Sequence, residues 1–204
     1  MESNIASLSP AQFEHYLGRG IGFDQYLEAL TTTVEKLKSG STEEIKYAEY
    51  LPINLQRLKR GLKTIVLSDE LQATIQKLPS KIHWLVITEH WCGDAAQSVA
   101  LLQKIAEASG GKIDMKLVFR DENLELMDTF LTNGSRSIPK VIQLDNTLQV
   151  TGTWGPRPKP AQEIVMDLLA KGENYNDDLH KWYALDKGIH LQAELRQLLS
   201  GGDA

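Results

Sequence analysis

The chain has 204 residues, of which 42% are hydrophobic, which suffices for one domain with extensions or for two small domains. Its 22 lysines and arginines and 27 aspartates and glutamates give a formal net charge of −5. This acidic balance argues against nucleic acid or an anionic membrane surface as a partner. The composition also excludes collagen-like, coiled-coil and disordered chains.

Cysteine usage and hydropathy indicate the compartment. Cys92 is the single cysteine, so an internal disulfide cannot form and a reducing compartment is expected. The first ten residues lack the basic start and apolar run of a secretory signal. No stretch of the sequence reaches the roughly 18 to 20 apolar residues of a membrane-spanning helix. We therefore expect a soluble, cytoplasmic protein.

Two helices are predicted for the first forty residues, within a helical extension that we assign to residues 1–79 and expect to pack on the main domain. The run Ser9-Pro10-Ala11-Gln12 has the pattern of a capping box with proline at the first helical position. That helix should end near residues 18–20. A second helix, ended by Gly40, is predicted from apolar residues at helical spacing: Tyr26, Leu30, Val34 and Leu37.

Two more helices are predicted before residue 80. A capping box at residues 41–44 should begin the third, and Pro52 should kink or divide it. Ser68 should begin the fourth, which Pro79 closes. A basic cluster in the third helix is interpreted as a solvated face, with an acidic protein partner as the minor alternative: Arg57, Lys59, Arg60 and Lys63.

Residues 80–172 alternate strand and helix and are assigned to a main domain. The near-continuous apolar run 82–87 predicts a strand buried in the middle of a sheet. A helix over 94–109 and a strand over 113–119 complete a βαβ unit. We therefore expect an α/β fold whose central mixed sheet of about four strands is flanked by helices.

The second half of this domain is predicted to end in a hairpin and a helix. A helix over 122–132 precedes short strands at 140–144 and 148–150, which turn residues join as an antiparallel pair. Residues 152–156 are interpreted as the loop that follows, and Pro160 begins the next helix. Residues 173–204 should form a C-terminal helix from about 178 to 199, which Gly188 could interrupt.

The cysteine lies where the buried strand gives way to a helix. A thiol at a helix N-terminus faces unpaired backbone N–H groups, which can lower its pKa from about 8.5 to about 3.5 to 7.5. Gly93 would let a disulfide approach Cys92, and Trp91 offers an apolar wall. Asp94 acts in the opposite direction, because its carboxylate repels a thiolate. The competing interpretation is a buried cysteine that serves as a small hydrophobe.

Two segments make the chain resemble the thioredoxin superfamily: Trp91-Cys92-Gly93 at a strand-to-helix junction, and Ser137-Ile138-Pro139 before the third strand. The resemblance covers about residues 80 to 170 and implies a thioredoxin fold. It also implies that the Ile138-Pro139 bond is cis and faces the cysteine. The flanking helices resemble those of a bacterial thioredoxin-like subgroup.

The sequence departs from the family pattern at two positions. Ala95 replaces the second cysteine of the C-x-x-C motif, and Val86 replaces a buried acid that helps to move protons in the family. A dithiol reductase is therefore excluded by the number of sulfur atoms. His90 and Glu89 are candidate proton carriers, with an exposed loop position as the alternative for each. No metal and no cofactor are predicted, because one cysteine with scattered histidines has no zinc spacing.

Two hypotheses of function follow. In the first, the chain is a candidate thiol-disulfide oxidoreductase: Cys92 forms a mixed disulfide with a protein disulfide or a glutathionylated substrate, and an external thiol resolves it. In the second, the chain is a non-catalytic thioredoxin-fold binding module with a degenerate active site. Regulation through oxidation of Cys92 is a further alternative.

Overall fold

The computed structural model describes residues 8–40 and 45–201. Its helices are α1 (Pro10–Arg19), α2 (Phe23–Lys38), α3 (Leu51–Thr64), α4 (Asp69–Gln76), α5 (Gly93–Ala108), α6 (Leu124–Thr129), α7 (Lys159–Ala170), α8 (Asn176–Asp186) and α9 (Ile189–Leu199). Its strands are β1 (Ile82–Thr88), β2 (Ile113–Phe119), β3 (Lys140–Leu144) and β4 (Val150–Trp154). Short 3-10 turns lie at Ala48–Tyr50 and Arg120–Glu122.

The strands form one mixed sheet in the order β2-β1-β3-β4. Strand β1 pairs in parallel with β2 and antiparallel with β3, and β4 pairs antiparallel with β3. The apolar run of β1 is buried from Trp84 to Thr88, as a strand covered on both faces requires. The predicted α/β fold with a central mixed sheet is confirmed.

The N-terminal helices share the hydrophobic core of the sheet. Leu55 and Leu58 of α3 belong to the same buried cluster as Leu101 and Leu102 of α5. The two helices approach closely at Gly61, where an added Cβ would lie 2.8 Å from the Cβ of Ala100. This packing fixes α3 beside the start of α5, where the cysteine lies. The division at residues 79 and 172 remains a prediction.

The third predicted helix begins later than expected. Residues 41–44, where its capping box was predicted, lie outside the described residues. Helix α3 begins at Leu51, and Pro52 occupies its first turn. The predicted kink at Pro52 is wrong. Backbone N–H groups in the first turn of a helix have no intrahelical partner, so the missing N–H of proline breaks no hydrogen bond there.

Strand β4 also begins later than expected, at Val150 instead of Leu148. The side chain of Asp145 accepts hydrogen bonds from the backbone N–H groups of Thr147 and Gln149. Leu148 has a φ of 62°, so the turn extends through residue 149. Residues 152–154, interpreted above as a loop, therefore lie in the strand.

Helix α6 differs from the prediction, whereas the C-terminal helix is interrupted at Gly188, as the sequence indicated. Helix α6 is shorter than residues 122–132, because Phe130 leaves the helical conformation and its ring packs against Phe13. The C-terminal helix is divided into α8 and α9 by Lys187 and Gly188, which both have positive φ. Within the described ranges, no helix combines the length and apolar character needed to cross a membrane.

Candidate active site around Cys92

Cys92 is the N-cap residue of α5. Its Sγ accepts a hydrogen bond from the backbone N–H of Ala95 at 3.4 Å. The thiol in turn donates to the carbonyl oxygen of Ile138 at 3.3 Å. The Ile138-Pro139 bond is cis, as the resemblance implied. The structure therefore brings together the two segments that carried the resemblance.

The environment of the thiol disfavours its ionised form. Cys92 is only 8% exposed, and burial raises its pKa from 9.0 to about 12, with the Asp94 carboxylate as the next cause. The N–H groups of Ala95 and Asp94 and the charge of Arg157 act in the opposite direction and are weaker. The expectation of a lowered pKa is wrong, because desolvation outweighs the favourable end of the helix.

Asp94 is the centre of a buried polar cluster. Its Oδ2 accepts hydrogen bonds from Nε and Nη2 of Arg157 at 3.0 and 2.6 Å. Its Oδ1 accepts from the hydroxyl of Tyr183 at 2.6 Å. Burial, followed by the Asp94 charge, raises the pKa of Tyr183 well above its ordinary value. The cluster joins the first turn of α5 to α8 and to the segment before α7.

A cavity of about 780 Å³ opens beside the thiol. Its wall comes from α3 and the segment before it, the start of α5, the loop before β3, and the start of α8. The lining residues are Tyr47, Tyr50, Arg57, Trp91, Cys92, Gly93, Asp94, Arg120, Ser135, Arg136, Ser137, Ile138, Arg157, Tyr175, Asn176, Asp177, Leu179 and His180. Trp91, Gly93 and Ile138 are thus at the cavity, as the sequence predicts.

Four arginines line this cavity, and they differ in their partners. Arg157 pairs with Asp94, and Arg136 pairs with the exposed Asp128. Arg120 pairs with Asp121, and its guanidinium lies 4.7 Å from the centre of the Trp91 ring. The fourth, Arg57, is held by an amide rather than a carboxylate, since its Nη1 donates to Asn54 Oδ1 at 3.1 Å.

His180 lies with Arg57 over Gly93. A Cβ added at Gly93 would lie 3.5 Å from His180 Cε1 and 3.6 Å from Arg57 Nη1. The buried Nδ1 of His180 has no hydrogen-bond partner in the part of the chain that the structure describes. Burial, then the Arg57 charge, lowers the pKa of His180, which favours the neutral imidazole.

The two candidate proton carriers do not line the cavity. His90 packs against the rings of Tyr26 and Phe119, and burial lowers its pKa to about 4. Glu89 accepts a hydrogen bond from the backbone N–H of Asp121, and burial raises its pKa. Both side chains are held by packing and backbone contacts away from the thiol. The structure therefore gives no support to a proton-carrier role for either.

The arginines, His180 and Tyr183 were not identified from the sequence as site residues. Arg57 was assigned to a solvated face, but it is half-buried at the cavity, whereas Arg60 is exposed. The other three arginines come from separate loops, and no local spacing links them. These arginines differ from the others in the chain only in that they meet at one cavity. That meeting can be seen only in the tertiary structure.

Comparisons with known proteins agree with this architecture. The family model described as thioredoxin matches residues 40–197, so the match extends beyond the predicted domain on both sides. A crystal structure of a Pseudomonas aeruginosa protein of unknown function is similar, with a TM-score of 0.62 and 16% identity, covering 96% of this chain and 99% of that chain.

An HIV epitope scaffold has a TM-score of 0.53 and 17% identity, covering 93% of this chain and 92% of its own. These likenesses establish the fold alone, because both identities are low. No curated protein matches the chain by sequence.

Proposed function

Since the chain belongs to the thioredoxin family, we propose that it takes part in thiol-disulfide exchange as a monothiol protein, with Cys92 as the reacting residue. The observation that carries the proposal is the position of Sγ. Cys92 lies on the wall of an open cavity, and its Sγ is 3.3 Å from the carbonyl oxygen of Ile138. A disulfide bound in the cavity would meet this sulfur.

The exchange proceeds in two steps. The Cys92 thiol loses its proton, and the thiolate attacks one sulfur of a bound disulfide. A new S–S bond forms as the old one breaks, and the departing thiolate takes up a proton. An external thiolate then attacks the substrate sulfur of the mixed disulfide, forms a new disulfide with it, and releases Cys92 as a thiolate that takes up a proton. The thiol must be external because Ala95 has no sulfur. A reducing cytoplasm, expected from the single cysteine, would supply that thiol.

The raised pKa sets the rate of the first step. With a pKa of about 12, about one thiol in 10⁵ is ionised at pH 7. Exchange with a disulfide free in solution is therefore slow. Binding in the cavity opposes this effect, because it raises the local concentration of the disulfide beside Cys92. A protein disulfide or a glutathionylated thiol would serve as substrate.

A binding module without chemistry is the second candidate. The observation that favours it is the same burial, which raises the pKa of the thiol and leaves Cys92 only 8% exposed. In that case the cavity binds its partner and Cys92 is part of its wall. The two candidates share the binding step and differ only in whether a covalent adduct forms.

Intact-mass analysis separates the two candidates. The folded protein is incubated with bis(2-hydroxyethyl) disulfide, and Cys92→Ser serves as the matched control. Exchange predicts a single mixed-disulfide adduct on the wild type and none on the variant. A wild type that stays unmodified when folded, both by this compound and by the anionic 3,3′-dithiodipropionate, yet reacts when unfolded in urea, would exclude exchange and leave the binding module.

A further inference from the structure

The cavity beside Cys92 concentrates arginine in an acidic protein. The chain has seven arginines and a net charge of −5, yet four of the seven line this cavity. Two aspartates also line it, and one of them, Asp94, is neutralised by Arg157. Arg120 and Arg136 are likewise paired with Asp121 and Asp128, so Arg57 is the cavity arginine that forms no ion pair within the described ranges, and an unpaired cation attracts anions.

We propose that the cavity binds a small disulfide or thiol that carries a carboxylate, and that Arg57 binds this carboxylate. The volume of about 780 Å³ is typical of a small-molecule site. A guanidinium presents paired N–H donors that match a carboxylate. The inference rests on the proposed exchange for the identity of the sulfur compound, but the binding of the anion is independent of it.

Arg57 is positioned for this role by two partly buried hydrogen bonds. Asn54 is buried, and its Nδ2 donates to the carbonyl of His90 at 3.1 Å. The Oδ1 of the same side chain accepts from Arg57 Nη1 at 3.1 Å. Asn54 thus fixes the guanidinium relative to the segment that leads into Cys92. A guanidinium held in one place loses less entropy when a ligand binds.

The charge of Arg57 has no partner of opposite sign in the described ranges. None of the ion pairs found there includes Arg57. Burial, followed by the charge of Arg60, lowers the pKa of Arg57. A half-buried cation is costly without an anion or further hydrogen bonds, and a bound carboxylate would supply both.

The position of Gly93 places this charge beside the residue that follows Cys92. Arg57 Nη1 and His180 Cε1 both lie within 3.6 Å of the point that a Cβ of Gly93 would occupy. Gly93 directly follows Cys92, so a carboxylate bound there leaves the rest of a short molecule near Sγ. The imidazole of His180, whose buried Nδ1 has no hydrogen-bond partner among the described residues, lies at the same place.

A matched set of disulfides tests the proposal. The compounds 3,3′-dithiodipropionate, bis(2-hydroxyethyl) disulfide and cystamine have terminal groups that are anionic, neutral and cationic, respectively, on similar short chains. The rate of mixed-disulfide formation at Cys92 is measured by intact mass for the wild type, Arg57→Gln and Arg60→Gln. Arg60 is the control, because it lies on the same helix, is exposed, and is not among the cavity residues.

The expected result is a loss of the preference for the anion. Arg57→Gln lowers the rate with dithiodipropionate about tenfold relative to the neutral compound, or about 1.4 kcal/mol, a size typical of a hydrogen bond to a charged group. Arg60→Gln leaves this ratio within about twofold of the wild type, since an exposed charge is screened by salt. Equal effects of the two substitutions, or no preference for the anion in the wild type, would overturn the inference.

Equilibrium binding separates failure of this inference from failure of the exchange reaction. Calorimetry measures dithiodipropionate binding to Cys92→Ser and to Cys92→Ser with Arg57→Gln. If no disulfide modifies the wild type but Arg57→Gln weakens binding about tenfold, as expected for one charged hydrogen bond, the anion site stands and the exchange reaction fails. If adducts form and Arg57→Gln leaves binding unchanged, the exchange stands and the anion site is wrong.

Discussion

The substitution Asp94→Asn should destabilise the protein strongly. Asp94 is 7% exposed and accepts hydrogen bonds from Arg157 and from Tyr183. Asparagine has a similar shape but no charge, so the largely buried guanidinium of Arg157 loses its counterion. Breaking a buried ion pair on one side costs about 3 to 5 kcal/mol. A domain near the middle of the ordinary stability range of about 5 to 15 kcal/mol remains mostly folded after this loss.

Urea unfolding followed by circular dichroism measures this loss. With an m-value of about 2 kcal/mol/M, the midpoint should fall by roughly 1.5 to 2.5 M. The matched control is Asp167→Asn, which removes the carboxylate of the exposed pair with Lys171 and should leave the midpoint unchanged. A fall below about 0.5 M for Asp94→Asn, equal to about 1 kcal/mol at that m-value, would refute the argument that this ion pair is buried and stabilising.

Three further predictions follow from the same geometry. The rate of Cys92 modification by a neutral disulfide should rise about tenfold per pH unit from pH 7 to 9, because the pKa is about 12; a plateau at or below pH 8 would contradict the burial argument. The raised pKa of Cys92 makes a contribution to stability that is complete below about pH 9 and is lost as the pH rises above it. Between pH 8 and 10, the free energy of unfolding of the wild type, measured by urea titration, should therefore fall by about 1.4 kcal/mol relative to that of Cys92→Ser. An unchanged difference between the two proteins would indicate an ordinary pKa. Gly155→Ala should lower the free energy of unfolding by at least about 2 kcal/mol in the same assay. The reason is that the new Cβ would lie 2.1 Å from the Pro139 oxygen, on a residue whose φ is +117°. The control is Gly18→Ala, whose Cβ meets no atom within 4 Å and which should not destabilise the protein.

The order of the core elements was predictable because local pattern and burial agree there. Strand β1 is apolar at nearly every position and is central in the sheet. Ser9 and Ser68 accept the capping hydrogen bonds that their positions predicted. Differences arose where a single side chain sets a turn. The side chain of Asp145 accepts backbone hydrogen bonds that extend the hairpin loop. Such hydrogen bonds compete with strand pairing, and the pattern of hydrophobic residues does not predict them.

The position of the candidate site was predictable from the sequence, but the predicted pKa of its cysteine was wrong. The strand-to-helix junction placed Cys92, and the resemblance placed Ile138 opposite it. The pKa was not predictable, because the favourable effect of a helix start is local while desolvation depends on everything packed around the sulfur. The arginines of the cavity were likewise not predictable from the sequence. Arg57 and Arg157, for example, are a hundred residues apart in the chain and line the same cavity only in the folded protein.

Release of a preformed mixed disulfide tests the monothiol cycle most directly. The adduct between Cys92 and 2-mercaptoethanol is prepared, and its loss is followed by mass with and without an added thiol. The account predicts that the wild-type adduct persists alone and is released in proportion to the added thiol. Ala95→Cys should release the same adduct without any added thiol. Failure of the folded wild type to form an adduct, or its spontaneous release, would contradict the account.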